Sequence, residues 1–266
     1  MKSPHRIAAA AVVGYLLSVG LISSFERRRL FPAPVVSLEV LHTEARAQGA
    51  EEIALRAEDG TQLYGWHLRG SDAGIVLWFD GNGGSVGMRP GAFRRLRDAG
   101  WDVVQINYRG YPGSEGVPSE AGLRMDARAA WAYASGFGHP WIYGKSLGGG
   151  VAVGLAAEVD ARGLLLESTF ESAVRVGMES MPWLPVRQMM TSPFDSAALA
   201  PRVRCPVLIL HGEDDEMIGV RHAYDLARAF PTPPDVVTFP GLGHNDELLT
   251  TERGWAAMVE WIGPTR

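Results

Sequence analysis

A single cysteine, Cys205, among 266 residues excludes an internal disulfide and any cysteine-based metal cluster. Its place just before an apolar run gives it a buried packing role. Basic residues do not outnumber acidic ones: 25 Lys and Arg stand against 30 Asp and Glu, a net charge of -5. The chain therefore lacks the basic footprint of a nucleic-acid-binding protein. Neither an internal repeat nor a low-complexity tract stands out. What remains is an ordinary globular composition, 46% apolar, long enough for one large α/β domain or two small ones.

One stretch lacks charge altogether. Residues 7–25 contain no Asp, Glu, Lys, Arg or His, with Lys2 and Arg6 before them and Glu26, Arg27, Arg28 and Arg29 after them. About 19 residues of helix just span a hydrocarbon core of about 30 Å. The run is long for the apolar part of a signal peptide, and Ser23-Ser24-Phe25 beside three arginines is a poor cleavage site. An uncleaved, single-pass anchor over residues 1–29 is expected, with one folded domain over 30–266. The three arginines argue for a cytoplasmic C-terminal side and Lys2 and Arg6 argue against it, so the side of the membrane stays open.

Residues 28–36 read as a proline-bearing linker leaving the membrane surface, and 37–50 as a short helix over one edge. Alternation over 51–57 and 62–69 around the turn Glu58-Asp59-Gly60 predicts a hairpin, so the sheet begins antiparallel. Residues 74–79 form a continuous apolar run, as in a central strand covered on both faces. Strands over 102–108, 163–166, 206–210 and 235–239 then alternate with helices over 89–99, 119–135, 220–230 and 247–262. This alternation predicts a mainly parallel, doubly wound sheet. The rhythm lapses over about 170–200, where Met178, Met181, Trp183 and Met189 sit among prolines. That segment reads as a small cap inserted over the domain.

The centre of the pattern is Trp141-Ile142-Tyr143-Gly144-Lys145-Ser146-Leu147-Gly148-Gly149-Gly150. A strand enters it, a small-residue helix leaves it, and a Gly-x-Ser-x-Gly turn lies between, the context of a nucleophile elbow. Glycine is expected at 144 and 148 because a side chain there would collide with neighbouring backbone. A serine hydroxyl needs a base, and the base an orienting acid. Two loops at strand C-termini can supply them: His211-Gly212-Glu213-Asp214-Asp215 and Gly241-Leu242-Gly243-His244-Asn245-Asp246. His244 is the expected base and Asp215 the expected acid, with Asp214 in reserve. His211 is expected to brace the acid loop and Asp246 to start the last helix. His5, His42, His67, His139 and His222 are given surface or structural roles. Leu147 and Asn82 are the expected backbone donors of an oxyanion hole.

These pieces together resemble the α/β-hydrolase superfamily, and within it the Bem46-like group that includes α/β-hydrolase-domain serine hydrolases of types 13 and 17. The likeness is carried by Leu30-Phe31-Pro32, Glu58-Asp59-Gly60 with Leu63-Tyr64-Gly65-Trp66, Gly81-Asn82-Gly83, Asn107-Tyr108-Arg109-Gly110-Tyr111, the elbow, Pro206-Val207-Leu208-Ile209-Leu210-His211-Gly212 and Gly243-His244-Asn245-Asp246. It implies an α/β-hydrolase fold and a membrane-anchored esterase or thioesterase without metal or organic cofactor. Two positions depart from the group. Asp80 stands where a histidine is usual, and is expected to point away from the oxyanion and be paired. Gly219 stands where a proline is common.

Met178, Met181, Trp183 and Met189 are expected to line a site for an apolar acyl or alkyl group, since methionine adapts to irregular shapes. The expected substrate is a hydrophobic or lipid-like small-molecule ester. The readings set against this are a serine peptidase on the same fold and a non-catalytic, membrane-anchored interaction module. The sequence leaves the oligomeric state open.

Overall fold

The computed structural model describes residues 26–263. The expected anchor over 7–25 lies outside the described residues, and among those described no helix is long and apolar enough to cross a membrane. The chain runs α1 (Leu38–Gln48), β1 (Ala50–Arg56), β2 (Gln62–Leu68), β3 (Gly74–Phe79), α2 (Pro90–Asp98), β4 (Trp101–Ile106), α3 (Glu120–Ala134) and β5 (Trp141–Lys145). It continues through α4 (Leu147–Ala156), β6 (Gly163–Glu167), α5 (Ala173–Ser180), α6 (Val186–Met189), α7 (Ser196–Leu199), β7 (Val207–Gly212), α8 (Arg221–Ala227), β8 (Asp235–Phe239) and α9 (Glu252–Ile262).

The strands form one 8-stranded sheet in the order β1-β2-β4-β3-β5-β6-β7-β8. The hairpin β1–β2 and the β2–β4 pair are antiparallel, and every later pair is parallel. The period-2 alternation of a strand divides β3 cleanly. Ile75, Leu77 and Phe79 enter one core with α3, α4 and α8, whereas Val76 and Trp78 enter a second core with α1, α2 and α9. That double covering explains why β3 has no polar alternation. Between β3 and β5 the connections leave for opposite faces, which opens the crevice in which ligands of open α/β sheets sit.

The start of the last helix and the burial of the cysteine differ from expectation. The last helix begins at Glu252 with Thr251 as its N-cap, after a 3-10 turn over Leu248–Thr250. Asp246 therefore does not start it; its carboxylate folds back to accept the Gly243 N–H at 2.6 Å. Cys205 is half-buried rather than enclosed, and burial pushes its thiol up to about 11, which keeps it inert near neutral pH.

The largest difference is at residues 28–36, which do not leave the domain as a free linker. Residues 26–30 make a helical turn, and Phe31 is buried against Phe194, edge to face at 6.2 Å. The Glu26 carboxylate accepts the N–H groups of Thr191 (2.9 Å) and Ser192 (2.7 Å) and the hydroxyl of Thr191 (2.7 Å). The turn is thus fastened to the inserted segment between α6 and α7.

Candidate active site

Ser146 occupies the turn between β5 and α4 with φ 52° and ψ -121°. A side chain costs energy at such a positive φ, and the cost persists only where surroundings over-determine it. Here they do. A Cβ at Gly144 would lie 2.5 Å from the Gly148 carbonyl oxygen, and one at Gly148 would lie 2.2 Å from that of Phe79. Thr169 donates its hydroxyl to the Ser146 carbonyl at 2.8 Å, and the Ser146 N–H reaches the Glu167 carbonyl at 2.9 Å.

The acid and base loops are stitched to one another before they reach the serine. The Asp214 N–H donates to Leu242 (3.0 Å) and the Glu213 N–H to Phe239 (3.0 Å). Gly212 permits this approach, since a Cβ there would meet the Leu242 oxygen at 2.2 Å. The result is a continuous line of contacts. Asp215 Oδ2 lies 2.7 Å from His244 Nδ1, and His244 Nε2 lies 3.0 Å from Ser146 Oγ. The other Asp215 oxygen accepts the N–H groups of Met217 (3.0 Å) and Ile218 (2.7 Å). His211 Nε2 stands 2.7 Å from the Ile218 carbonyl and 3.3 Å from Asp215 Oδ2, so it braces the acid loop. Burial alone would raise the Asp215 pKa, but hydrogen bonds from His211, His244 and the Ile218 N–H together hold it well below the usual carboxylate range. An ionised Asp215 fixes His244 with a proton on Nδ1 and a free lone pair on Nε2 facing the hydroxyl.

Leu147 opens α4, where the first N–H groups have no intrahelical acceptor. Asn82 follows β3; its carbonyl accepts the Tyr111 hydroxyl and its side-chain amide donates to the Arg29 carbonyl at 3.3 Å. Both residues line one cavity with Ser146 and His244. Asp80 does not line it. Its carboxylate accepts the Gly81 N–H at 2.8 Å and pairs with Arg89 at 3.3 Å.

The cavity measures about 400 Å³. The cap helix α5 presents Ala173, Val176, Gly177 and Ser180 to it, followed by Met181, the i, i+3, i+4, i+7 stripe of one helix face. Met189 also lines it, as expected. Met178 and Trp183 do not, and are 41% and 76% exposed. Met178 is one residue, about 100° of helix, off the inward stripe, and Trp183 lies on the outward side of the turn between α5 and α6.

Two groups escaped the reading of the sequence. Lys145 is buried beside Glu167, its neighbour across the β5–β6 register, and its ammonium donates to both the Glu167 carboxylate and the Asp246 carbonyl (2.9 Å). Glu167 also receives the Leu248 N–H at 3.4 Å. The pair therefore holds the histidine loop two residues beyond His244. A lysine closing an otherwise apolar strand was the available signal. The second group is Glu26, Arg29 and Leu30, which form one wall of the cavity.

This topology with this elbow defines the α/β-hydrolase class. The Pyrococcus furiosus esterase Pf2001 superposes with a TM-score of 0.69 at 16% identity, covering 88% of this chain and 97% of that one, which speaks to the fold alone. No family model matches the chain. It is 35% identical over 263 residues to an uncharacterized protein of Mycobacterium tuberculosis, covering 94% of this chain and 92% of the relative. It is 30% identical over 274 residues to the protein bem46 of Schizosaccharomyces pombe, covering 90% and 87%. The chain belongs to the Bem46-like group of the α/β-hydrolase superfamily.

Proposed function

We propose that the protein is a serine hydrolase that cleaves a carboxylic ester or thioester through an acyl-enzyme on Ser146. One observation carries this reading: the unbroken Asp215–His244–Ser146 line, at 2.7 Å and 3.0 Å. His244 Nε2 takes the hydroxyl proton as Oγ forms its bond to the substrate carbonyl carbon. The carbonyl oxygen becomes an oxyanion and receives the backbone N–H groups of Leu147 and Asn82. When the tetrahedral adduct collapses, the bond to the leaving oxygen or sulfur breaks and His244 returns the proton to that atom. Water repeats the sequence in reverse and frees the acid. Asp215 stays ionised throughout and orients the ring.

The apolar walls formed by Val176, Met181, Leu184, Met189 and Met190 suit a hydrophobic acyl chain. The uncharged stretch 7–25 is read as the membrane anchor that brings this cavity to lipid. A panel of p-nitrophenyl esters of rising chain length tests the chemistry. Turnover that rises from acetate toward longer chains and vanishes in Ser146→Ala is expected. Turnover that survives in Ser146→Ala, or is confined to acetate, contradicts the reading. Resistance to alkaline carbonate extraction tests the anchor.

A further inference from the structure

Because Glu26 is fastened to Thr191 and Ser192, the point where the uncharged stretch 7–25 joins the domain is fixed in space. That point is the cavity wall itself, since Glu26, Arg29 and Leu30 all face the cavity. The outer side of the same opening carries apolar side chains that the domain leaves uncovered. Met217 lines the cavity yet is 58% exposed, so it stands at the mouth. Trp183, 76% exposed, lies between the lining residues Met181 and Leu184, and Met178, 41% exposed, follows the lining residue Gly177. Next in sequence to lining residues stand the exposed basic side chains Arg27, Arg28 and Arg187 and the exposed acidic Glu179, and the exposed Glu216 lines the cavity itself.

A large exposed apolar side chain is common on its own, but a cluster around a cavity mouth marks an interaction surface. Tryptophan with arginine is the pairing that the headgroup layer of a bilayer favours, because the indole sits at the boundary and the guanidinium stays in water. We propose that the cavity mouth, framed by Trp183, Met217 and the turn at 26–30, docks on a bilayer surface, with Trp183 inserted at the interface. A second copy of this chain is the other occupant such a rim could take. The bilayer is favoured because the described chain begins at Glu26 in this wall, and the uncharged stretch that precedes it in sequence is long enough to span one. Residues 26–30 then serve two ends, as the exit of the anchor and as a wall of the substrate site. The docking itself is independent of the hydrolase reading. Its consequence, that a lipid ester passes from membrane to Ser146 without crossing water, rests on that reading.

The test uses the full-length protein with phosphatidylcholine vesicles whose acyl chains are brominated near the headgroup. Trp66, Trp78, Trp101 and Trp141 are buried, and the half-buried Trp131, Trp255 and Trp261 lie on α3 and α9, which do not line the cavity, so quenching by bromine is expected to report chiefly on Trp183. Wild-type emission is expected to fall on brominated vesicles relative to unbrominated ones, and Trp183→Phe is expected to lose most of that fall. Equal quenching in wild type and Trp183→Phe, or none in either, overturns the proposal; none in either, together with a dimer in solution, assigns the rim to a second copy. Fluorophosphonate labelling of both proteins monitors the fold at Ser146. Labelling that is absent in both while the Trp183-dependent quenching persists would sink the hydrolase reading and leave the docking standing. For the consequence, Met178→Ser with Trp183→Ser, neither of which lines the cavity, is expected to slow turnover of a vesicle-embedded ester about tenfold and to leave soluble p-nitrophenyl butyrate unaffected. An equal loss on both substrates contradicts entry from the membrane.

Discussion

The two sides of the cavity are built in opposite ways. The floor is the C-terminal rim of the sheet, where Ser146, Asp215 and His244 stand on loops tied to one another by backbone hydrogen bonds and a buried ion pair. The roof is α5, α6 and the turn at 26–30, short pieces held by Glu26, by Phe31 on Phe194, and by His222 between Glu171 and Glu179. A reacting group must be placed within a fraction of an ångström and needs support from several strands. A wall for an apolar chain needs only shape and dryness, which methionines on short helices supply. Substitutions in the floor should therefore abolish turnover, and substitutions in the roof should redirect it.

The floor gives the largest expected effect. Asp215→Asn keeps the shape of the side chain but favours the wrong tautomer of His244, and kcat should drop by about 10⁴-fold with KM little changed. Steady-state kinetics on one p-nitrophenyl ester measures it, and a loss carried by KM instead would place Asp215 in binding. Lys145→Met is next. It leaves Glu167 buried without its cation, at a cost of about 3–5 kcal/mol in stability by denaturant unfolding. The histidine loop loses an anchor in the same variant, so kcat should fall further than in Lys145→Arg.

The roof gives smaller and more selective effects. Met189→Trp narrows the cavity without touching Ser146. The ratio of octanoate to acetate turnover should fall about tenfold or more, the range associated with a few methylenes in an apolar pocket, while acetate turnover holds. The smallest effect concerns His222. Burial lowers its pKa, but the hydrogen bond and charge of Glu171, with those of Glu179, outweigh burial and leave it raised. A raised folded-state pKa stabilises fully below the unfolded value of about 6.5 and is lost as pH climbs through the folded value. The thermal stability of wild type over His222→Gln should thus be greater at pH 6 than at pH 9. Equal differences at the two pH values would deny His222 its role in pinning α5.

The same contrast decides what could be read in the sequence. The floor was legible because its signals are local: a glycine spacing that only one turn accommodates, and apolar runs that end in Asp-bearing and His-bearing loops. The mainly parallel, doubly wound sheet follows from the alternation of strands and helices. The roof was only partly legible. Composition identifies Met178 and Trp183 as apolar but does not fix the phase of an eight-residue helix or the outward side of a turn. The wall at 26–30 meets residues some 165 positions away, and no periodicity encodes that contact. Asp246 misled because an acid ahead of a helix looks like a cap, whereas here it closes the loop that carries His244.

The central claim is that Ser146 is an activated nucleophile. Intact-mass and peptide mass spectrometry after treatment with a fluorophosphonate tests it most directly. One covalent adduct per chain is expected, on the peptide bearing Ser146, formed quickly in wild type and very slowly in His244→Ala. An unmodified wild-type protein, or an adduct on another residue, would contradict it.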